Sequence, residues 1–159
     1  MRIGIGFDIH RLVIGRDLIL GGVKIPNNKG LLGHSDADCL CHALADSILG
    51  ALALPNIGQL FPDDDESIRD ISSVKILKQA VQMARDRGYD IVNLDTVLRA
   101  EQPRLTPFIP EMKATLATAI GLDPAKIGIK ATSNEGLDAI GSGDAIACQA
   151  VCLLQQFAR

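Results

Sequence analysis

The chain has 159 residues, 47% hydrophobic and 22% charged, with a formal charge of −3. That length suits one domain over 1–159 with a buried core, and the acidic balance argues against a general nucleic-acid surface. No apolar run approaches the ~20 residues of a membrane span, and aromatics at 3% leave the core to aliphatic side chains.

Residues 1–9 alternate and predict a strand, on which Asp8 and His10 project to one side and Ile3, Ile5, Phe7 and Ile9 to the other. Residues 17–25 predict a hairpin broken at Gly21-Gly22, and Asn27-Asn28-Lys29-Gly30 predicts a turn. A first helix is expected over 36–53, N-capped by Ser35 or Asp36. Its apolar face is Leu40, Leu44, Ile48 and Leu52. Asp38, His42 and Asp46 share a stripe turned away from those residues.

Asp8, His10 and His42 together make a candidate zinc set: three protein ligands leave a fourth position for water or substrate. The competing reading is three solvated polar groups at the ends of core elements.

The loop 55–65 combines Pro55, Gly58, Phe61 and the acids Asp63, Asp64 and Asp65. It reads either as a solvated acidic turn or as a ligand loop between core elements. A second helix is expected over 72–87, with Val74, Leu77, Val81 and Ala84 buried and Ser72 or Ser73 as cap. Residues 90–99 alternate as a strand, and the prolines of 100–107 make a rigid loop. Pro110 suits the start of a third helix ending at Gly121. Residues 126–133 predict a strand, 134–144 a loop rich in glycine and acids, and 145–155 an apolar strand buried on both faces.

The order β-β-α-α-β-α-β-β predicts an α+β fold, a mixed β-sheet with helices packed on one face. No helix remains for the opposite face, so copies of the chain are expected to cover it. Cys39, Cys41, Cys148 and Cys152 form neither a disulfide framework nor a spaced zinc motif. They fit a reducing cytoplasm, and the N-terminus enters a strand with no targeting segment.

Five stretches carry a resemblance: 1–10 (Met-Arg-Ile-Gly-Ile-Gly-Phe-Asp-Ile-His), 33–38 (Gly-His-Ser-Asp-Ala-Asp), 60–63 (Leu-Phe-Pro-Asp), 107–110 (Pro-Phe-Ile-Pro) and 130–135 (Lys-Ala-Thr-Ser-Asn-Glu). In their order and spacing the chain resembles the 2-C-methyl-D-erythritol 2,4-cyclodiphosphate synthase family over nearly its whole length. The resemblance implies a zinc-dependent, cyclising phosphorus–oxygen lyase of the non-mevalonate isoprenoid pathway. It implies a homotrimer with active sites between subunits, whose contacts bury the open sheet face. The implied substrate is 4-diphosphocytidyl-2-C-methyl-D-erythritol 2-phosphate, and the products are the cyclic diphosphate and CMP.

By the same resemblance Asp8, His10 and His42 hold Zn²⁺ or another divalent transition metal. Glu135 attends a second ion, Mg²⁺ or Mn²⁺, on the substrate phosphates. His34 and Ser133 are the implied catalytic residues, and Ser35 is implied to hold phosphate. Ile57, Gly58, Phe61, Pro62 and Asp63 to Asp65 would line the sugar. Ala100, Pro103, Arg104, Ala131, Thr132, Ser133, Asn134 and Glu135 would surround the cytidine diphosphate. Three positions depart from the family pattern: Asn56, where an Asp is common, Ala139 in place of an aromatic, and Ser142 in place of a cation. The alternative is a non-catalytic trimer binding a nucleotide or an isoprenoid diphosphate on the same scaffold.

Overall fold

Two glycines let a helix lie directly on the first strand. In the computed structural model, which describes residues 1–62 and 70–157, Gly4 and Gly6 of β1 (Arg2–Ile14) face α1 (Cys39–Ala51). A Cβ at Gly4 would fall 1.9 Å from the Ser47 carbonyl oxygen, and one at Gly6 2.0 Å from that of Ala43. The helix therefore sits closer than any side chain would permit, and this contact sets the height of His42 over Asp8.

The hairpin is β2 (Leu18–Leu20) and β3 (Val23–Ile25), joined through Gly21 and Gly22 at positive φ. The expected turn at 27–30 leads at once into a short strand, β4 (Lys29–Leu31), which pairs with the end of β1. β1 runs on to Ile14 because the last strand pairs with residues 2–11 and β4 then takes up residues 12–14.

α1 begins later than expected. Ala37 has φ +56, a left-handed conformation that costs an L-residue roughly 1–2 kcal/mol and cannot propagate a helix. The N-cap is Asp38 rather than Ser35 or Asp36. Its carboxylate accepts the N–H groups of Leu40 and Cys41, both at 3.1 Å, and that of Gly22 at 2.7 Å. Asp38 is consequently buried under the hairpin, not part of a solvated stripe.

The loop after α1 contains one helical turn, α2 (Ile57–Leu60), capped by the Asn56 side chain. Asp63, Asp64 and Asp65 lie outside the described residues. α3 (Ser73–Asp86) buries Ser73, Ile76, Leu77, Ala80, Val81 and Ala84, with Val74 on the shoulder of that stripe. β5 (Tyr89–Arg99) follows, then a 3-10 turn at Thr106–Phe108 and α4 (Ile109–Ile120), which stops at left-handed Gly121. β6 (Ile127–Thr132), a single turn α5 (Asp138–Gly141) and β7 (Ala145–Gln156) complete the order.

The five-stranded sheet runs β4-β1-β7-β5-β6. Only β5 and β6 are parallel; the other pairs are antiparallel. α1 packs across β1 and β7, α3 against α1 and β5, and α4 against α3 and β6, so these three helices occupy one face. The aliphatic core lies between them and the sheet.

On the opposite face Ile3, Ile5, Phe7 and Ile9 are 72%, 64%, 54% and 45% exposed. β7 is therefore not buried on both sides within one chain. Ile140 of α5 covers Ala145 and Ala147, but Gln149 and Leu153 are half-buried and Val151 is exposed. Among the described residues no helix is long and apolar enough to cross a membrane.

Candidate metal centre and its clefts

β1 and α1 bring Asp8, His10 and His42 to one point. Asp8 Oδ2 lies 2.9 Å from His10 Nε2 and 2.9 Å from His42 Nδ1, and the two nitrogens are 3.2 Å apart. Among the described residues this is the group whose ligand atoms could hold a metal ion. Zinc bonds of ~2.0–2.1 Å in tetrahedral geometry would set such atoms about 3.3 Å apart, a few tenths of an ångström wider than here.

The outer nitrogen of His10 supports the same assignment. Nδ1 lies 2.8 Å from the Leu32 carbonyl oxygen, which can only accept, so Nδ1 carries a proton. In the neutral ring Nε2 then offers a lone pair to the centre. An anionic carboxylate and imidazole lone pairs converging on one point are a donor set for a cation.

Burial alone would push the Asp8 carboxyl up; where a proton rather than a cation sits between them, the facing His10 and His42 rings hold it below the usual carboxylate range by hydrogen bonding and charge. His42 is buried, yet it faces the cleft rather than the leucine side of α1. Asp46, one turn on, accepts the N–H of Ile57 at 2.8 Å. Burial pushes its carboxyl up, the Ile57 N–H opposes that, and the neighbouring Asp8 charge adds to it.

The segment 33–38 forms the rim and is pinned from three sides. Arg16 donates to the Ser35 carbonyl at 2.6 Å, Asp70 N–H to that of His34 at 2.9 Å, and Asp36 N–H to that of Ile71 at 3.2 Å. The cleft over the trio measures about 200 Å³. It brings together the predicted Asp8, His10, His34, Ser35, His42, Ile57, Gly58 and Phe61, and Gly33, Ile71 and Ile76 complete it. Nothing local in the sequence marks Ile71 or Ile76, which are ordinary apolar residues until the chain folds. Pro62 is exposed beside this cleft and does not line it.

A second cleft, of about 280 Å³, gathers the predicted Ala100, Pro103, Arg104, Ala131, Thr132 and Ser133 at the ends of β5 and β6. Glu101, Gln102, Leu105 and Thr106 line it too. Asn134 and Glu135 form the turn beyond it. Glu101 accepts the Asn134 N–H at 3.2 Å, and the Ser133 hydroxyl donates to the Glu135 carboxylate at 3.1 Å. Glu135 takes φ +52, which turns an exposed carboxylate back over Ser133.

The two clefts share no lining residue, so His34 and Ser133 stand in different places within one chain. Of the departures, Asn56 caps α2, and the Ser142 hydroxyl donates to Asp144 at 2.7 Å.

The fold and site define a small α+β protein with a candidate Asp-His-His metal centre on the floor of a cleft. The chain belongs to the YgbB family, whose sequence model matches residues 1–155. Relatives named 2-C-methyl-D-erythritol 2,4-cyclodiphosphate synthase match it end to end. One from Synechococcus sp. (strain JA-2-3B'a(2-13)) is 54% identical over 97% of this chain and 98% of its own. One from Clostridium acetobutylicum is 51% identical over 97% and 99%.

Among solved structures, the IspF–CDP complex of Plasmodium falciparum superposes with a TM-score of 0.87 at 36% identity, covering 99% of this chain and 97% of that one. The bifunctional IspDF of Campylobacter jejuni gives 0.94 at 38% identity over 98% of this chain, which spans 42% of that longer protein.

Proposed function

We infer that the chain makes 2-C-methyl-D-erythritol 2,4-cyclodiphosphate, as its relatives are named to do. The 2-phosphate of 4-diphosphocytidyl-2-C-methyl-D-erythritol 2-phosphate attacks the β-phosphorus of the same molecule. A new P–O bond closes the ring, the bond to CMP breaks, and CMP leaves. The observation that carries this reading is the convergence of Asp8, His10 and His42 at the floor of a cleft large enough for a small phosphorylated sugar.

Zinc on that trio would supply Lewis-acid polarisation of a phosphate oxygen. The chain's own residues do the positioning, which can supply about 7–11 kcal/mol in a well-oriented intramolecular reaction. His34 and the Ser35 backbone N–H hold phosphate oxygens at the rim. Ile57, Gly58 and Phe61 wall the methylerythritol. Ser133 donates to the diphosphate. Ala100, Pro103, Arg104, Ala131 and Thr132 hold the cytidine end. The exposed Glu135 carboxylate is suited to Mg²⁺ or Mn²⁺ arriving with the substrate. Together these ions let an acidic protein hold a polyanion.

Because the two clefts have no residue in common, the complete site is assembled from neighbouring subunits of a homotrimer. The exposed Ile3, Ile5, Phe7 and Ile9 supply the apolar face by which the subunits meet. Each chain is a single cyclodiphosphate synthase-like domain over 1–159. Its four free, buried cysteines suit the reducing cytoplasm.

The test is direct. Purified protein incubated with substrate and Mg²⁺ releases CMP and the cyclic diphosphate, and carries about one zinc per chain. His42→Ala loses both zinc and turnover while staying folded. Glu135→Gln keeps zinc but needs more Mg²⁺. No CMP from zinc-loaded protein would overturn the activity; full zinc in His42→Ala would overturn the trio.

A further inference from the structure

Behind His42, on the side away from Asp8, lies a closed chain of hydroxyl and carboxylate groups. His42 Nε2 is 2.8 Å from the Ser73 hydroxyl oxygen and 3.2 Å from that of Ser35. Ser73 is the first residue of α3 and fully buried. Its hydroxyl bonds the Asp36 carboxylate, and its backbone N–H meets both Asp36 oxygens at 3.1 Å. The Ser35 hydroxyl oxygen lies 3.3 Å from that of Ser73 and accepts the Ala37 N–H at 3.1 Å.

The proton directions follow from what each group can do. An ionised carboxylate only accepts, so Ser73 O–H donates to Asp36. A hydroxyl has one proton, so toward His42 and Ser35 the Ser73 oxygen can only accept. Its two lone pairs take the His42 Nε2–H and the Ser35 O–H. Every donor then meets an acceptor. The reverse arrangement, with Ser73 donating to Nε2, would set a bare hydroxyl lone pair against the Asp36 carboxylate.

A neutral His42 with its proton on Nε2 presents a lone pair on Nδ1, the atom that faces Asp8 and His10. We propose that Ser73, oriented by Asp36, is a positioning residue that holds His42 in this tautomer and aims Nδ1 at the metal. The proposal rests on the metal trio argued above. Asp36 also supplies the carboxylate at the N-terminus of α3, where Ser72 occupies the cap position without a side-chain cap bond. The docking of α3 and the grip on the metal therefore depend on the same carboxylate.

Outer-shell partners of metal-bound histidines are worth about 10–100-fold in metal affinity. Zinc-loaded full-length protein is titrated with a chelator of known zinc affinity. Ser73→Ala lowers zinc affinity by about 10–100-fold. Asp36→Asn lowers it too, because the amide NH₂ can donate to Ser73 and free the serine proton to point at Nε2. The double variant is no worse than Ser73→Ala, since both act through one hydroxyl.

Proton NMR of the zinc-loaded protein supplies a readout that general loosening would not give. The His42 Nε2–H exchanges slowly with water in the wild type and faster in Ser73→Ala, while the His10 Nδ1–H on the Leu32 carbonyl is unchanged. Equal acceleration at both rings would mean a loosened site and would overturn the positioning role. Zinc affinity within about twofold of wild type in Ser73→Ala would also overturn it, leaving the trio intact. A wild type that binds no zinc would instead sink the trio. If Ser73→Ala fails to fold, Asp36→Asn, which keeps its size and shape, decides the question by the same two measurements.

Discussion

Asp46 accepts the backbone N–H of Ile57 at 2.8 Å, tying the middle of α1 to the first residue of α2. His42 lies one turn before Asp46 on the same helix, so one element carries both a proposed metal ligand and the anchor of the opposite cleft wall. Removing the anchor should loosen that wall without touching the metal. In Asp46→Ala we expect KM to rise by roughly fivefold, about 1 kcal/mol of ground-state binding, with zinc content unchanged. Steady-state kinetics and metal analysis check this. A fall in kcat with KM constant would assign Asp46 to the chemical step instead.

The approach of α1 to β1 makes Gly6 a structural determinant of the metal site. An added Cβ meets the Ala43 carbonyl oxygen and the Ser47 nitrogen, at 2.0 and 2.7 Å. Both are backbone atoms, so the helix must lift. Gly6→Ala should cost about 3 kcal/mol or more, the upper end for overpacking. Zinc retention should fall with it, because His42 rides on the displaced helix. Urea unfolding and zinc analysis of the variant test the coupling; full zinc retention in a destabilised variant would break it.

Asp38→Ala removes the α1 cap and strands the Gly22 N–H of the β2–β3 hairpin. The cap contributes about 0.5–2 kcal/mol and the orphaned donor about 1–3 kcal/mol. The sum of about 1.5–5 kcal/mol should appear in urea unfolding, and amide exchange at Gly22 should quicken. An Asp38→Asn variant, which keeps one acceptor oxygen, should fall between. Unchanged exchange at Gly22 would detach the hairpin from this carboxylate.

The proposed sharing of each site between subunits predicts complementation. His42→Ala and Glu135→Ala, each inactive alone, are mixed in equal amounts and allowed to exchange subunits. Only an intact metal face opposite an intact cytidine face works, so about a quarter of wild-type activity should return after random assembly around a three-fold axis. Complete exchange, verified by mass, with no recovered activity would place the whole site within one chain.

Much of the molecule is legible locally. The strand bearing Asp8 and His10, the helix bearing His42 and the Gly121 stop of α4 follow from periodicity and residue chemistry. The start of α1 is not, because it falls at Asp38, just past left-handed Ala37, and the third partner of the Asp38 carboxylate belongs to a hairpin 16 residues away. Nor is β4, because three residues carry no periodicity; only the free edge of β1 makes them a strand.

The sequence by itself determined which residue types could ligate a metal and which elements carry them, since side-chain direction along a strand or helix is a local property. Tertiary structure decided what lies behind them. Ser73 is an ordinary helix-start serine until α3 docks, and only then does its oxygen come 2.8 Å from His42 Nε2. Likewise Glu101 and Glu135 differ little as letters. One accepts the N–H of Asn134, and the other, at positive φ, turns back to accept the Ser133 hydroxyl. Contacts between residues 31 and 33 positions apart depend on how the elements pack, and packing is a property of the whole chain rather than of any window within it.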